Sequence, residues 1–444
     1  MNRFTAAAVA SILGTGVAVA GGLDRSGQSN AALFDPAGTV SAGISYVNPD
    51  LTGSDTGGLP GTYDAGNSYT TYSWSYANRL NDRISYAIIG DQPFGADIFY
   101  DADPNASALG GTTADLTSDA ISFLGRFEIT ERVSVFGGIR AERAGGDIVL
   151  NGLAYQAALG ARGLGDALGA AAAAGEPTSA GILQGLGAGA PAALAGVATG
   201  NPQTAPLEAQ IRSIATPPGA PTFADSIDAI QAYTRTGGYE VEIEQDWGVG
   251  LTVGAAFEIP EIALRLAVSY QSEVKHETTG NEASILFGGV EQSNDLTFYS
   301  PQSVNVDFQT GINDNTLVLA GLRYTNWDDF DVIPTLLGSD LANIDDSYRW
   351  NVGVARRFSP NFVGLASLTY EKDQGSDTVS PLGPTDGQIG LSLGARYTSG
   401  NLNVSGGINY TKIGDAFAGV ADQPVASFTD NSAVGLGLQV KYEF

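Results

Sequence analysis

The chain has no cysteine and one histidine, His276. Without cysteine there is no disulfide framework, no thiolate metal site and no thiol nucleophile. A single histidine excludes a multi-histidine metal site. It also leaves a Ser–His hydrolase only His276 to work with, and no nucleophile motif accompanies it. No catalytic residue, no metal ligand and no cofactor is therefore expected, and His276 itself is expected to be a solvated residue near a strand end. Positive charge is scarce too. Lys and Arg number 21 against 48 Asp and Glu, a formal net charge of −27, the wrong sign for neutralising phosphates, so a nucleic-acid partner is disfavoured. Charged residues make up only 16% and glycines number 59, unlike a helical enzyme or a disordered acidic chain. Past the first twenty residues nothing supplies the roughly 20 apolar residues of a membrane helix. The nearest stretch, 165–200, is interrupted by Asp166, Glu176, Pro177 and Pro191.

What is present begins with a leader. Arg3 supplies a positive start, residues 6–17 are small and apolar, and Ala18, Val19 and Ala20 form an A-x-A cleavage pattern. Residues 1–20 read as a Sec-type signal peptide cut near Ala20. Residues 21–40 then show neither strand alternation nor a helix long enough to stand alone, and are expected to form a small plug, or hatch.

Residues 41–444 read as strands. From Val434 to Phe444 every even position is apolar or aromatic, against Gly435, Gly437, Gln439, Lys441 and Glu443. The same period of two runs through Trp247, Val249, Leu251 and Val253, through Leu264, Leu266, Val268 and Tyr270, and through Ile389, Leu391, Leu393 and Tyr397. One face is apolar and bracketed by aromatics; the other is small, polar or charged. A membrane barrel turns such a face to lipid and must close, because an open edge in hydrocarbon leaves backbone groups unpaired. Fourteen strands are expected, near 41–48, 69–78, 82–101, 115–128, 131–149, 239–258, 261–277, 294–310, 314–331, 347–358, 361–372, 387–398, 401–412 and 433–444. The fold class is thus all-β, an antiparallel transmembrane β-barrel. Short joints alternate with long ones, as periplasmic turns alternate with outer loops.

The long loop, 151–235, is Ala/Gly-rich and partly helical. Leu153 to Leu168 and Phe223 to Tyr233 read as helices, with Gly/Ala/Pro-rich chain between them. Phe223, Ile227 and Ile230 share a face. One reading is a flexible surface insertion; the other is a pair of helices over the barrel mouth offering a groove for an apolar ligand.

Several local patterns carry a family resemblance. They are Phe34, Asp35, Pro36, Ala37 and Gly38 near the mature start; Pro93, Phe94 and Gly95 followed by Phe99, Tyr100 and Asp101; and Asp246 to Gly250 followed by Ser269 to His276. Pro301 and the run from Tyr324 to Trp327 complete the set. In their order and spacing the chain resembles the FadL/TodX outer-membrane transporters of long-chain fatty acids and other hydrophobic compounds. The resemblance implies a fourteen-stranded barrel in the outer membrane of a Gram-negative bacterium, a hatch inside it, and lateral release of ligand through a kink in the third strand. Asp35 departs from the family's Asn, and the hatch is short. Hydrophobic small molecules, outer-membrane lipid and the barrel-assembly machinery, reached through the strand ending at Phe444, are the expected partners. A general or solute-specific porin, or a surface adhesin, is the alternative.

The residues themselves leave two readings of this stretch, a break within the third strand or a strand that ends at Gly90 where a turn begins; the resemblance implies the first. Proline cannot donate to a ladder, and Pro93 sits amid Gly90, Asp91, Gln92, Phe94 and Gly95. Alternation points Arg126, Arg140, Glu142, Arg265 and Arg323 into the lumen, with Phe136 and Leu124. Arg140, then Arg126 and Arg265, are candidates for a ligand carboxylate, since Arg donates bidentately to carboxylates. The competing reading is an internal Arg–Glu network. The hatch is expected to meet the break through Asp35, Pro36 and Ala37.

Overall fold

The computed structural model describes residues 23–375 and 377–444. The leader and the first two residues of the hatch lie outside them.

Fourteen antiparallel strands close into one barrel. They are β1 (Thr39–Asp50), β2 (Tyr69–Asn81), β3 (Ile84–Asp91 and Gly95–Phe99), β4 (Thr113–Glu128) and β5 (Val133–Leu150). Next come β6 (Tyr239–Ile259), β7 (Leu264–Gln271 and Val274–Ser284), β8 (Gln292–Ser300 and Ser303–Asn313), β9 (Thr316–Thr325) and β10 (Ser347–Ser359). The last four are β11 (Phe362–Glu371), β12 (Gln388–Ser399), β13 (Leu402–Ile413) and β14 (Ser432–Glu443). Each pairs with its neighbours in the chain, and β1 closes the ring by pairing with β14, Thr39 opposite Glu443 and Asp50 opposite Ser432.

Alternation places the apolar stripes outside. Trp247, Val249, Leu251 and Val253 of β6 and Leu391, Leu393 and Tyr397 of β12 are exposed. Ser269 and Gln271 of β7 and Asn409 and Thr411 of β13 are buried within. A closed wall with its apolar residues outward is stable in lipid and would be an aggregation liability in water. Short turns at 82–83, 314–315, 360–361 and 400–401 mark one rim; long segments such as 100–112, 151–238, 326–346 and 372–387 gather at the other.

The long insertion is not loose chain. It folds as α1 (Leu153–Ala173), α2 (Pro177–Leu186), α3 (Ala190–Ala198), α4 (Ala205–Arg212) and α5 (Phe223–Ala232). The three middle helices, unexpected from a Gly/Ala/Pro-rich stretch, each begin with proline in the first turn, where the missing N–H costs nothing. A capping box of Thr222 and Asp225 starts α5. Phe223, Ile227 and Ile230 are buried with Leu164, Leu168 and Val197 in the insertion's own core. They therefore do not line an open groove, as the second reading of this loop required. The Gln156 amide, buried, donates to Ala198 O at 3.0 Å and Ile230 O at 3.1 Å, tying α1 to α3 and α5.

Three wall strands are interrupted: β3 at 92–94, β7 at 272–273 and β8 at 301–302. The β3 break changes which face points inward. Between the pair of Asp91 with Ala120 and that of Gly95 with Thr117, β3 takes four residue steps while β4 takes three. One extra residue on one strand reverses the phase of alternation. Before the break Ser85 and Ala87 face in; after it Phe94, Ala96 and Ile98 do.

Candidate functional site

The hatch occupies the lumen and is anchored along its length. Leu33, in a 3-10 helix (Ala31–Phe34), is buried among Ala77, Ala87, Leu124, Phe136, Ala256 and Ala267. The Phe34 ring meets Phe136 edge-on at 5.9 Å and lies under the guanidinium groups of Arg126, at 4.7 Å, and Arg265, at 4.4 Å. Four of the five lumenal candidates, Leu124, Phe136, Arg126 and Arg265, thus converge on the hatch. Arg126 also pairs with Glu258.

Asp35 is not at the β3 break. Its carboxylate accepts from Lys441 Nζ of β14 at 2.7 and 3.0 Å, and Pro36 O accepts from Thr39 Oγ1. Gly38 has a φ of +77° and exchanges its backbone with the neighbouring strands: its N–H donates to Ala77 O and its O accepts from Phe444 N–H. The expected contact of Asp35, Pro36 and Ala37 with the break is therefore corrected: an ion pair and the start of β1 hold this segment against β14.

The break is instead met by residues 23–26. Asp24 forms an antiparallel bridge with Phe94. Arg25 N–H donates to Pro93 O at 2.8 Å, Gly95 N–H donates to Leu23 O at 2.9 Å, and Ser26 Oγ donates to Asp91 Oδ2 at 2.5 Å. Proline's carbonyl remains free to accept even though its nitrogen cannot donate, so Pro93 can pair with the hatch after leaving the wall ladder. Both flanking glycines let a side chain pack close against the strand. A Cβ on Gly95 would lie 2.6 Å from Arg25 Cζ, and one on Gly90 would lie 2.2 Å from Trp74 Nε1.

Arg323 locks this hatch strand to the far wall. It donates to Asp24 Oδ2 at 2.6 Å, Gly27 O at 3.2 Å and Gln28 Oε1 at 3.1 Å, and also to Ser303 and Asn305. Burial pushes the Asp24 carboxyl up, but Arg323 and Arg349 outweigh it and hold Asp24 below the usual carboxylate range.

Where β3 turns inward the wall opens. The β2–β3 ladder ends with Trp74 opposite Gly90, and residues 69–73 of β2 pair with β1 but not with β3. The Gln92 amide spans the gap: its Oε1 accepts from Tyr72 N–H at 3.2 Å, and its Nε2 donates to Asp119 at 3.2 Å. A cavity with about 1060 Å³ of empty space lies here, lined by Arg25, Ser26, Asp91 and Gln92 and by the outward residues Tyr72 and Trp74.

On the loop side of the hatch strand is a second cavity, with about 740 Å³ of empty space. Leu23 and Phe94 bound it, with Leu116, Ile148, Phe298 and Trp327 among its walls. Trp327 packs edge-on against Phe94 at 5.5 Å and Phe330 at 5.6 Å. Phe94 faces this cavity because of the phase change.

Arg140 lies outside that lining and pairs with Glu142, the network arrangement. His276, expected in solvent, is fully buried. Its ring stacks on Phe298 at 4.8 Å, with Nε2 3.1 Å from Ser300 Oγ; Ser300 in turn donates to Glu142. The inward phase of β7 carries it there, as Lys275 beside it is exposed. Leu23, Asp24, Trp327 and Lys441 are the site residues that strand periodicity did not single out for these contacts. Each meets a partner far away in sequence.

The family described as outer membrane protein transport protein (OMPP1/FadL/TodX) matches residues 2–444. The long-chain fatty acid transport protein of Salmonella typhi is 22% identical over 437 residues, covering 88% of this chain and 84% of that one. A Pseudomonas aeruginosa FadL homologue aligns with a TM-score of 0.62 at 13% identity, covering 97% of each chain. The Pseudomonas putida toluene transporter TodX aligns at 0.54 and 13% identity, covering 97% of this chain and 98% of that one.

Proposed function

Because this chain belongs to the OMPP1/FadL/TodX family of outer-membrane transport proteins, we propose that it carries hydrophobic compounds inward by a lateral route. A ligand enters from the loop side, occupies the apolar cavity, passes the strand at residues 23–26, and leaves through the gap between β2 and β3 into the bilayer. Movement follows the concentration gradient, since the hatch and the wall are the only moving parts the route requires. The leader is removed near Ala20, and the outward, exposed Phe444 at the end of the last strand is the handle for assembly.

The observation that carries the reading is the shared use of Pro93. The residue that takes β3 out of the wall ladder is the one whose carbonyl holds the hatch at 2.8 Å. A shift of residues 23–26 therefore acts on the floor of the apolar cavity and on the wall opening together. The names of two relatives, a long-chain fatty acid transport protein and a toluene transporter, support a hydrophobic ligand.

Planar-bilayer recording tests the reading against a porin. The intact protein is expected to carry no large steady ion current, while vesicles holding it take up a radiolabelled hydrophobic compound faster than empty vesicles. A steady current with no gain in uptake would make it a porin; neither current nor uptake would leave an adhesin.

A further inference from the structure

Residues 326–346, between β9 and β10, contain six aspartates and neither lysine nor arginine. Asp328, Asp329, Asp331 and Asp345 are exposed. The same segment sends Trp327, Phe330, Val332, Leu341 and Ile344 into the lining of the apolar cavity. One loop thus presents carboxylates to water and hydrocarbon to the cavity. None of the described residues lining the cavity is ionisable. Of the nearby arginines, Arg140 pairs with Glu142, Arg323 with Asp24 and Arg349 with Glu371, while Arg25 lies over the Tyr69 ring and lines the cavity at the β2–β3 gap instead of this one. An anion approaching would meet like charge at the rim, then lose its water with no cation to replace it.

One residue of the lining carries an unused polar group. The hydroxyls of Ser118, Ser300 and Ser380 are hydrogen-bonded. The Trp327 indole Nε1, in contrast, is buried with no partner among the described residues, and Trp327 is 1% exposed. A buried indole N–H ordinarily finds an acceptor. Phe94 and Phe330 hold the ring edge-on from two sides, so its orientation is fixed.

We propose that the cavity selects an uncharged hydrophobe bearing one hydrogen-bond acceptor, such as a ketone, ester or ether oxygen, and that this acceptor takes the Trp327 indole N–H. Ionised fatty acids are rejected. The inference rests on the reading of this cavity as the ligand site.

Equilibrium dialysis of the detergent-solubilised full chain at pH 8, with a micelle-only control, compares undecane, methyl decanoate and decanoate, which are similar in length. Methyl decanoate is expected to bind about tenfold tighter than undecane, the effect of one recovered hydrogen bond, with decanoate weakest. In Trp327→Phe the ratio of ester to alkane affinity should fall to about one. Decanoate binding as tightly as the ester, or an ester advantage that survives in Trp327→Phe, overturns the proposal. Undecane senses neither charge nor donor, so its failure to bind overturns the cavity reading itself, and this inference with it. Should Trp327→Phe lose the heat-modifiable mobility of a folded barrel, the ranking of the three ligands on the unaltered protein decides alone.

Discussion

Replacing Arg323 with Met removes the strongest tie between hatch and wall while keeping a long apolar stem. Three of the five groups that Arg323 donates to belong to the hatch: the Asp24 carboxylate, Gly27 O and the Gln28 side chain. Asp24 would remain buried, with Arg349 at 3.7 Å as its nearest cation. Removing one member of a buried ion pair costs about 3–5 kcal/mol, mostly because the remaining charge is stranded. Residues 23–26 keep their bonds to Pro93, Gly95 and Asp91 but lose their main tie to the far wall, so the loss should appear as local release of this strand rather than as unfolding of the barrel. A cost of that size raises the released population by roughly 10²- to 4 × 10³-fold. Amide hydrogen exchange should accelerate at Arg25 and Gly95, whose N–H groups join the hatch to the break, while the β12–β13 amides stay protected. Brief current openings should appear in planar bilayers. Adding Asp24→Leu to Arg323→Met removes the stranded charge and should restore much of the protection. Unchanged exchange at Arg25 and Gly95 in Arg323→Met would refute the idea that this pair holds the hatch.

Other expectations follow from single contacts. Leu393→Arg puts a charge on the outer face of β12, where Leu393 is 51% exposed; folding into lipid should lose about 2–4 kcal/mol if it lies at mid-membrane, read from denaturant titration in vesicles, and an unaffected titration would deny that this face meets hydrocarbon. Gln156→Ala strands the carbonyl of Ala198, while Ile230 O keeps the Tyr233 N–H; the cost is about 1–3 kcal/mol for the group left unpaired, so limited proteolysis should cut the 151–238 insertion faster and spare the wall. The depressed Asp24 carboxyl gives the hatch a sign-definite pH response. Its stabilisation is complete above the unfolded value of about 3.9 and is lost only as pH falls through the lower folded value. Bilayer current should therefore stay closed from pH 7 to pH 5 and open only in stronger acid; opening between pH 7 and pH 5 would point to a different latch.

The wall was legible because a strand facing lipid on one side and a lumen on the other must alternate, and β12 and β14 do so without interruption. The break was legible from Pro93 between Gly90 and Gly95, since proline's effect on a ladder is local. Its consequence for Phe94 was not: whether three irregular residues reverse the alternation depends on how many steps β4 takes opposite them. Arg126, Arg140 and Arg265 point inward as their parity required, yet parity says nothing of partners. Glu142 lies two residues from Arg140, but Asp35 and Lys441 stand at opposite ends of the chain and meet only because β1 closes against β14. His276 was misplaced because a lone histidine beside a lysine reads as surface, while alternation across the β7 break turns one outward and the other in. The middle helices of the insertion were hidden by glycine, whose weak helix propensity is overridden once Leu194, Val197 and Ile211 are buried.

The central claim is that the β3 break is the exit. The most direct measurement is uptake of a radiolabelled hydrophobic compound by vesicles holding a variant in which Pro93, Phe94 and Gly95 are replaced by residues that continue the strand. A barrel that still shows heat-modifiable mobility but no longer transports is the predicted result; transport at the unaltered rate through a sealed third strand would contradict the account.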